Sequence, residues 1–392
     1  MKLGISVRTP MVIGGTDEIQ EFDIFEKGGK AYVVDVVATS ISISEAESER
    51  WLSITRAFIG EKGEPGNRNY AQNVRKSDPK DDMQLFLSEL YNAGKLKLFE
   101  PAIDILGKGY RDYGPVKPTM YHVDASGKTK RMVPYIPGSS VKGAIRKAIL
   151  YRLIRNGVSV PIQGRQQKII DILLGDRGMR QDNMSDSAVF SYDPANRVLS
   201  DIMKFLVVTD FLPNDDVSLA LFQVSGKVRS YDVKATHLGI ASGTFVGNIA
   251  INRSLIPVLK GVIPDAQSER LRKVLALPNL TGFNTKDMES IEERMVKWIL
   301  ESVDMFSRDN GKVTGYNFDD LSKFMVLGQG KGGPLTTVIN ASPEIIRQAD
   351  QMGVNVRGKG GLSSLARPKT RSEVEMPSGK VRPGLCTMGA LK

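Results

Sequence analysis

Gly138-Ser139-Ser140, followed by Lys142 and Arg146 four residues apart, is the grouping in this chain with the clearest chemistry. Small residues ahead of a helical run let backbone N–H groups approach a ligand closely, and a helix start carries partial positive charge. Lys142 and Arg146 fall on one helical face, so these groups converge on a single kind of target, an anion such as phosphate. Ser139 or Ser140 would cap the helix. The alternative is a capped surface helix whose cations are merely solvated. The charge distribution bears on the choice: the chain has 392 residues with 54 Lys/Arg against 44 Asp/Glu, and Lys128 to Lys168 holds ten of the basic residues and no acid. The remainder balances at 44 of each sign, so the net charge of +10 can be assigned to these 41 residues. Charge concentrated in this way suggests a binding surface for a polyanion, RNA above all.

Other groups are weighed against that one. The loop Gly328 to Gly333, with Gly328, Gly330, Lys331 and Gly332, could bring backbone N–H groups onto phosphate oxygens; read alone it is a tight turn, and paired with the first motif it becomes a second wall of an RNA groove. It lacks the Gly-x4-Gly-Lys-Ser/Thr spacing of a nucleotide-triphosphate loop. Residues 353 to 392 carry eight basic and two acidic residues, Lys369 and Arg371 among them, and read either as a second phosphate-contacting arm or as a solvated tail. Gly138 and Gly143 are expected where helix, sheet and RNA meet and where bulk would obstruct the approach. General acid–base chemistry would need His122 or His237, the two histidines of the chain; the first follows Tyr121 in a strand and the second lies in an extended polar stretch, so both read as structural or surface groups. One cysteine, Cys386, read as an ordinary tail residue, excludes an internal disulfide and a cysteine-cluster zinc site, and no cofactor is expected. Tyr135 either stacks on a base or is a buried strand tyrosine, and an aromatic content of 7% argues against a surface dominated by stacking.

The elements that must position these residues follow from periodicity. Val141, Ile145, Ile149 and Leu153 form the apolar stripe of a helix from about Ser140 to Arg155. Lys2 to Val7, Ala31 to Val37, Lys204 to Val208 and Gly243 to Asn252 read as strands. Glu45 to Ile59, with Trp51, Ile54 and Phe58 at helical spacing, and Asp81 to Leu90 read as an inserted helical region flanking a polar loop from Glu61 to Lys80. Gln166 to Leu174, stopped by Gly175, and Asp287 to Phe306 complete the expected helices. The organisation is α+β: a core over residues 1–255 with a helical insertion near 42–95, a helical region over 256–325, and a Gly-rich loop and basic segment over 326–392. At 41% hydrophobic content the chain can build a large core. Without a signal sequence or an apolar run near the roughly 20 residues a membrane helix needs, a cytoplasmic protein is expected.

The string Tyr135-Ile136-Pro137-Gly138-Ser139-Ser140-Val141-Lys142-Gly143-Ala144-Ile145-Arg146 resembles the signature of the repeat-associated RNA-binding proteins of CRISPR systems, the RAMP superfamily. Thr9-Pro10-Met11-Val12-Ile13-Gly14-Gly15 is similar to the opening of the fifth-subunit family of type III-A Csm effector complexes. Leu327 to Gly333 with Thr336-Thr337-Val338, and Pro368-Lys369-Thr370-Arg371, resemble later landmarks of that family in the same order. Its usual Pro-Leu-Gly-Trp ending is replaced by Arg382-Pro383-Gly384-Leu385. The resemblance implies a ferredoxin-like (RRM-like) β-α-β-β-α-β core with helical insertions and a mainly helical, Gly-rich C-terminal region. It also implies a non-catalytic subunit that caps the 3′ end of crRNA, with a role in antiviral defence and crRNA maturation. Its partners would be crRNA, the repeated backbone subunit, the small helical subunit and auxiliary ribonucleases. Guide sequence varies, so contacts to phosphate and ribose suit that task. The RNA-binding residues so expected are Gly138, Ser139, Ser140, Lys142, Gly143, Arg146, Gly328, Gly330, Lys331, Gly332, Lys369 and Arg371. The alternative is a RAMP-type endoribonuclease that processes crRNA or cuts target RNA. Asp17 and Asp23 lie near the Gly14-Gly15 turn, where backbone subunits of the superfamily carry a loop aspartate, although metal-assisted cleavage calls for more than one well-placed carboxylate.

Overall fold

Leu3, Ile5 and Val7 alternate with Lys2, Gly4 and Ser6, and this period of two forms β1 (Lys2–Val7) with the three apolar side chains buried. The computed structural model describes residues 1–14, 18–63, 78–107, 116–162, 165–169, 189–190, 201–228, 231–252, 269, 273–274, 288–314, 324–328, 373–377 and 379–391. β2 (Ile24–Lys27) and β3 (Lys30–Val33) pair across Gly28 and Gly29, both at positive φ as a two-residue hairpin turn demands. The strand expected to reach Val37 ends at Val33 because Asp35 intervenes. Its carboxylate accepts the N–H of Ala38 at 3.1 Å and starts α1 (Val36–Ser42).

The helical insertion follows. α2 (Glu45–Gly63) opens on a capping box in which the Glu47 carboxylate accepts the Ser44 N–H at 2.7 Å, and α3 (Pro79–Asn92) packs against it through Trp51 and Phe86, edge-on at 6.1 Å. The polar loop expected between them lies largely outside the described residues. Trp51, Met83, Phe86, Leu87 and Leu90 form a satellite core with Phe25 of β2. Gln84 ties the insertion to the sheet: its amide donates to the Ile24 carbonyl at 2.6 Å and accepts the Glu26 N–H at 3.1 Å. The edge of β2 is thus paired by a side chain instead of standing open.

β4 (Ile103–Ile105), β5 (Lys117–Pro118) and the hairpin of β6 (Tyr121–Asp124) with β7 (Arg131–Pro134) lead into α4 (Gly138–Arg155). β8 (Ser159–Ile162) then pairs with β9 (Arg165–Lys168). A helix was expected from Gln166; its apolar residues begin at Ile169, and the polar Arg165-Gln166-Gln167-Lys168 lead, exposed throughout, finds its backbone partners in β8 instead. The strand expected from Lys204 starts later for a similar local reason. Asp201 caps a 3-10 turn over Ile202–Phe205, and β10 (Leu206–Val208) begins after it. β11 (Leu212–Pro213), β12 (Ser218–Val228) and β13 (Tyr231–Ile251) follow, then α5 (Met288–Thr314) and β14 (Phe324–Val326). The C-terminal segment, expected as an arm or a tail, folds into the sheet as β15 (Glu373–Met376), β16 (Gly379–Val381) and β17 (Leu385–Ala390). Cys386 is accordingly core: it is buried in β17 with its thiol 3.4 Å from the Met325 carbonyl.

Among the described residues the main path of the thirteen-stranded sheet runs β14-β17-β1-β13-β12-β4-β3-β2, mixed in direction, with successive neighbours antiparallel from β17 through β1 and β13 to β12. A register shift at Ser218/Leu219 lets β13 keep Leu238 and Ile240 inward before it and Phe245, Ile249 and Ile251 inward after it. α4 and α5 pack together in the core of that face, α4 through Val141, Ile145, Ile149 and Leu153 and α5 through Ile291, Met295, Ile299 and Val303. Val12, Ala220, Phe222 and Val374 form a smaller cluster on the opposite face. Among the described residues no helix is long and apolar enough to cross a membrane.

Candidate nucleic-acid interface

The fold presents the Gly-Ser-Ser turn at the point where β7 delivers the chain into α4. Pro137 holds the cap position without a side-chain hydrogen bond, so neither serine caps the helix as expected; Ser139 is exposed and Ser140 half-buried. The cap comes from far away. Asp210 accepts the Gly138 N–H at 2.8 Å, placing an internal carboxylate on the amide that the motif would otherwise offer to a ligand. Gly138 is sterically obligatory: a Cβ there would lie 2.3 Å from the Val208 carbonyl oxygen and 2.6 Å from that of Thr209.

Lys142 and Arg146 share a face, as their spacing requires, but differ in state. Lys142 is half-buried, has no ion-pair partner within 4 Å among the described residues, and has its pKa lowered by burial, an effect that nearby Asp201 opposes and Arg146 adds to. A partly desolvated ammonium without a partner gains most from an incoming anion. Arg146 is already engaged: it pairs with Asp201 at 2.6 Å and lies over the Phe190 ring at 4.3 Å. Gly143 is exposed, and a Cβ added there meets nothing within 4 Å, so the protein itself imposes no close approach at that position.

The basic stretch is less of a surface than its sequence suggests. Lys130 pairs with Asp35 at 2.7 Å and Arg152 with Glu301 at 3.0 Å, while Arg155 pairs with Asp309. Arg152 also stacks on Trp298 at 3.5 Å and donates to its carbonyl at 3.1 Å. Asp309 accepts the Tyr151 hydroxyl at 2.6 Å, and burial together with that carboxylate raises the tyrosine pKa. The back of α4 is therefore clamped to α5. Glu301 and Asp309 lie 149 and 154 positions from Arg152 and Arg155, and Asp201 lies 55 from Arg146, so no local sequence pattern could have disclosed them.

The remaining expected residues are dispersed. Gly328 sits at φ +85°, and a Cβ there would lie 2.3 Å from the Val12 carbonyl oxygen, so the loop starts as a tight turn against the N-terminal segment. Gly330, Lys331, Gly332, Lys369 and Arg371 lie outside the described residues, as does Asp17. Asp23 is partly buried, and that burial, opposed by a backbone hydrogen bond with Gln20, raises its pKa to about 6. His237, expected in an extended polar stretch as a structural or surface group, takes the structural place: it is buried on β13 opposite Phe222, and burial with the charge of Lys117 lowers its pKa to about 4, against a backbone hydrogen bond with Lys117. It is neutral at pH 7. His122 is exposed on β6, with its ring centroid 6.3 Å from that of Tyr135. No group of three or more potential metal ligands occurs among the described residues.

Comparison with known proteins bears directly on the Gly-Ser-Ser-x-Lys-Gly helix. The RAMP superfamily matches residues 5–306, which spans β1, the insertion, α4 and most of α5. The chain belongs to the RAMP superfamily. No curated protein matches it. Among solved structures, a chain in the cryo-EM structure of a Csm-crRNA-target RNA ternary complex from a type III-A CRISPR-Cas system is similar over 99% of this chain and 100% of that one, at 18% identity and a TM-score of 0.57. T. onnurineus Csm5 is similar over 98% and 99% at 17% identity and a TM-score of 0.49.

Proposed function

We propose that this RAMP protein is a non-catalytic crRNA-binding subunit that caps the 3′ end of the guide in a type III-A Csm complex. The observation that carries the reading is Lys142, a half-buried cation without an ion-pair partner among the described residues, on the first turns of a helix introduced by Gly138-Ser139-Ser140. The likeness in fold to a chain of a Csm-crRNA-target RNA complex supports it. So does the order β1, α4, β12, β13, α5, β17, which reads as the β-α-β-β-α-β succession of a ferredoxin-like core with the helices on one face and strand order β17-β1-β13-β12. In this reading Ser139 and Lys142 hold phosphate and ribose, Gly138 and Gly328 fix backbone geometry, and Gly330, Lys331, Gly332, Lys369 and Arg371 extend the track. The partners are the repeated backbone subunit and the small helical subunit, with auxiliary ribonucleases acting on crRNA from outside the chain. Binding without turnover accords with the burial of His237 on β13, where it is held neutral.

The test is assembly of the complex from its genomic neighbours with and without this chain, followed by sequencing of the retained RNA. Guides with defined 3′ ends when the chain is present, and ragged or extended ends when it is omitted, are expected. Identical 3′ ends in both preparations would refute the capping role, and cleavage of labelled RNA by the purified chain alone would restore the nuclease alternative.

A further inference from the structure

The β6–β7 hairpin supplies a second kind of chemistry beside the phosphate site. Its register pairs His122 with Val133 and Asp124 with Arg131, so these four side chains share one face, and Tyr135 continues that face two residues beyond Val133. The opposite face holds buried Met132 and Pro134, which fixes the first face outward. His122 and Arg131 are exposed, and the turn adds exposed Lys128. The His122 and Tyr135 rings lie 6.3 Å apart at 44°, forming two inclined walls rather than a closed stack. Asp124 is turned to local use: its carboxylate accepts the Ser126 N–H at 2.9 Å, and Arg131 beside it further lowers its pKa. Tyr135 stands three residues before Gly138, so the strand that carries this outward face leads within a few residues into the first turn of α4.

We infer that the outward face of the β6–β7 hairpin, centred on Tyr135 and His122, is a stacking subsite for one nucleobase of single-stranded RNA whose phosphate lies at Lys142. The inference rests on the phosphate reading given above and adds to it a sequence-tolerant contact with a base, since every base offers a π-face to a ring. Arg131 and Lys128 supply positive charge to the adjoining backbone.

The test uses the full-length chain, a fluorescently labelled single-stranded RNA, and an abasic ribose-phosphate chain of the same length, with binding followed by anisotropy. Tyr135→Leu keeps apolar bulk and is expected to weaken binding of the intact RNA about tenfold while leaving the abasic chain unaffected; Tyr135→Phe retains wild-type binding. His122→Ala, at an exposed position that the fold does not need, moves binding in the same direction by a smaller factor. Equal losses on the two ligands, or no loss on intact RNA from either Tyr135→Leu or His122→Ala, would overturn the subsite. Failure of the phosphate reading shows elsewhere, as unchanged binding of the abasic chain by Lys142→Ala.

Discussion

The front and the back of α4 carry similar charge and have opposite surroundings. Arg152 and Arg155 at the back are consumed by Glu301, Asp309 and the Trp298 ring of α5, whereas Lys142 at the front is left partly desolvated with no ion-pair partner among the described residues. Arg146 between them is held by Asp201 and Phe190. Charge density along a sequence thus reports two different things at once, a fastening between helices and a binding face. The distant acids decide which cation does which. A paired guanidinium has less further attraction to offer a phosphate than a half-buried ammonium that forms no ion pair among the described residues.

That contrast can be broken at either end, and the back should respond most in stability. Asp309→Ala leaves the Tyr151 hydroxyl and the Arg155 guanidinium without their shared acceptor, and a loss of about 2 to 3 kcal/mol is expected in urea unfolding, with RNA affinity unchanged once the protein is folded. At the boundary, Gly138→Ala drives a Cβ into the Val208 and Thr209 carbonyls and should cost about 2 kcal/mol, measured the same way. At the front the effect moves from stability to binding. Lys142→Ala should weaken RNA of any sequence about tenfold in an anisotropy titration while changing stability by less than about 0.5 kcal/mol. Gly143→Val sharpens the point further. Because its Cβ would meet open space, it should raise thermal stability by about 0.4 kcal/mol through helix propensity, and any fall in RNA affinity would then come from the ligand side alone.

Much of this was legible in residue order and some of it could not be. Alternation gave β1 to the residue, and the i, i+4 stripe of Val141, Ile145, Ile149 and Leu153 located the buried side of α4, because both signals are local and no distant partner competes with them. The end of β3 at Val33 was obscured by Asp35, whose capping bond to Ala38 outweighs the β propensity of Val36 and Val37. Gln166 to Lys168 read as the lead of a helix because their pairing with β8 depends on a register that propensity does not encode. At the interface the motif residues were visible, while the carboxylates that cap Gly138 and hold Arg146 were not: Asp210 and Asp201 are separated from them by 72 and 55 positions. The buried setting of His237 was hidden for the same reason, since its neighbours Phe222 and Lys117 come from other strands.

The most direct measurement of the central claim is the salt dependence of RNA binding for the full chain, its Lys142→Ala variant and its Arg155→Ala variant, with folding of each verified by circular dichroism. The account predicts that Lys142→Ala lowers the slope of log affinity against log salt by about 0.7, one single-stranded phosphate contact, and that Arg155→Ala leaves the slope unchanged. Equal reductions in both variants, or a reduction in Arg155→Ala alone, would contradict the division of α4 into a binding front and a structural back.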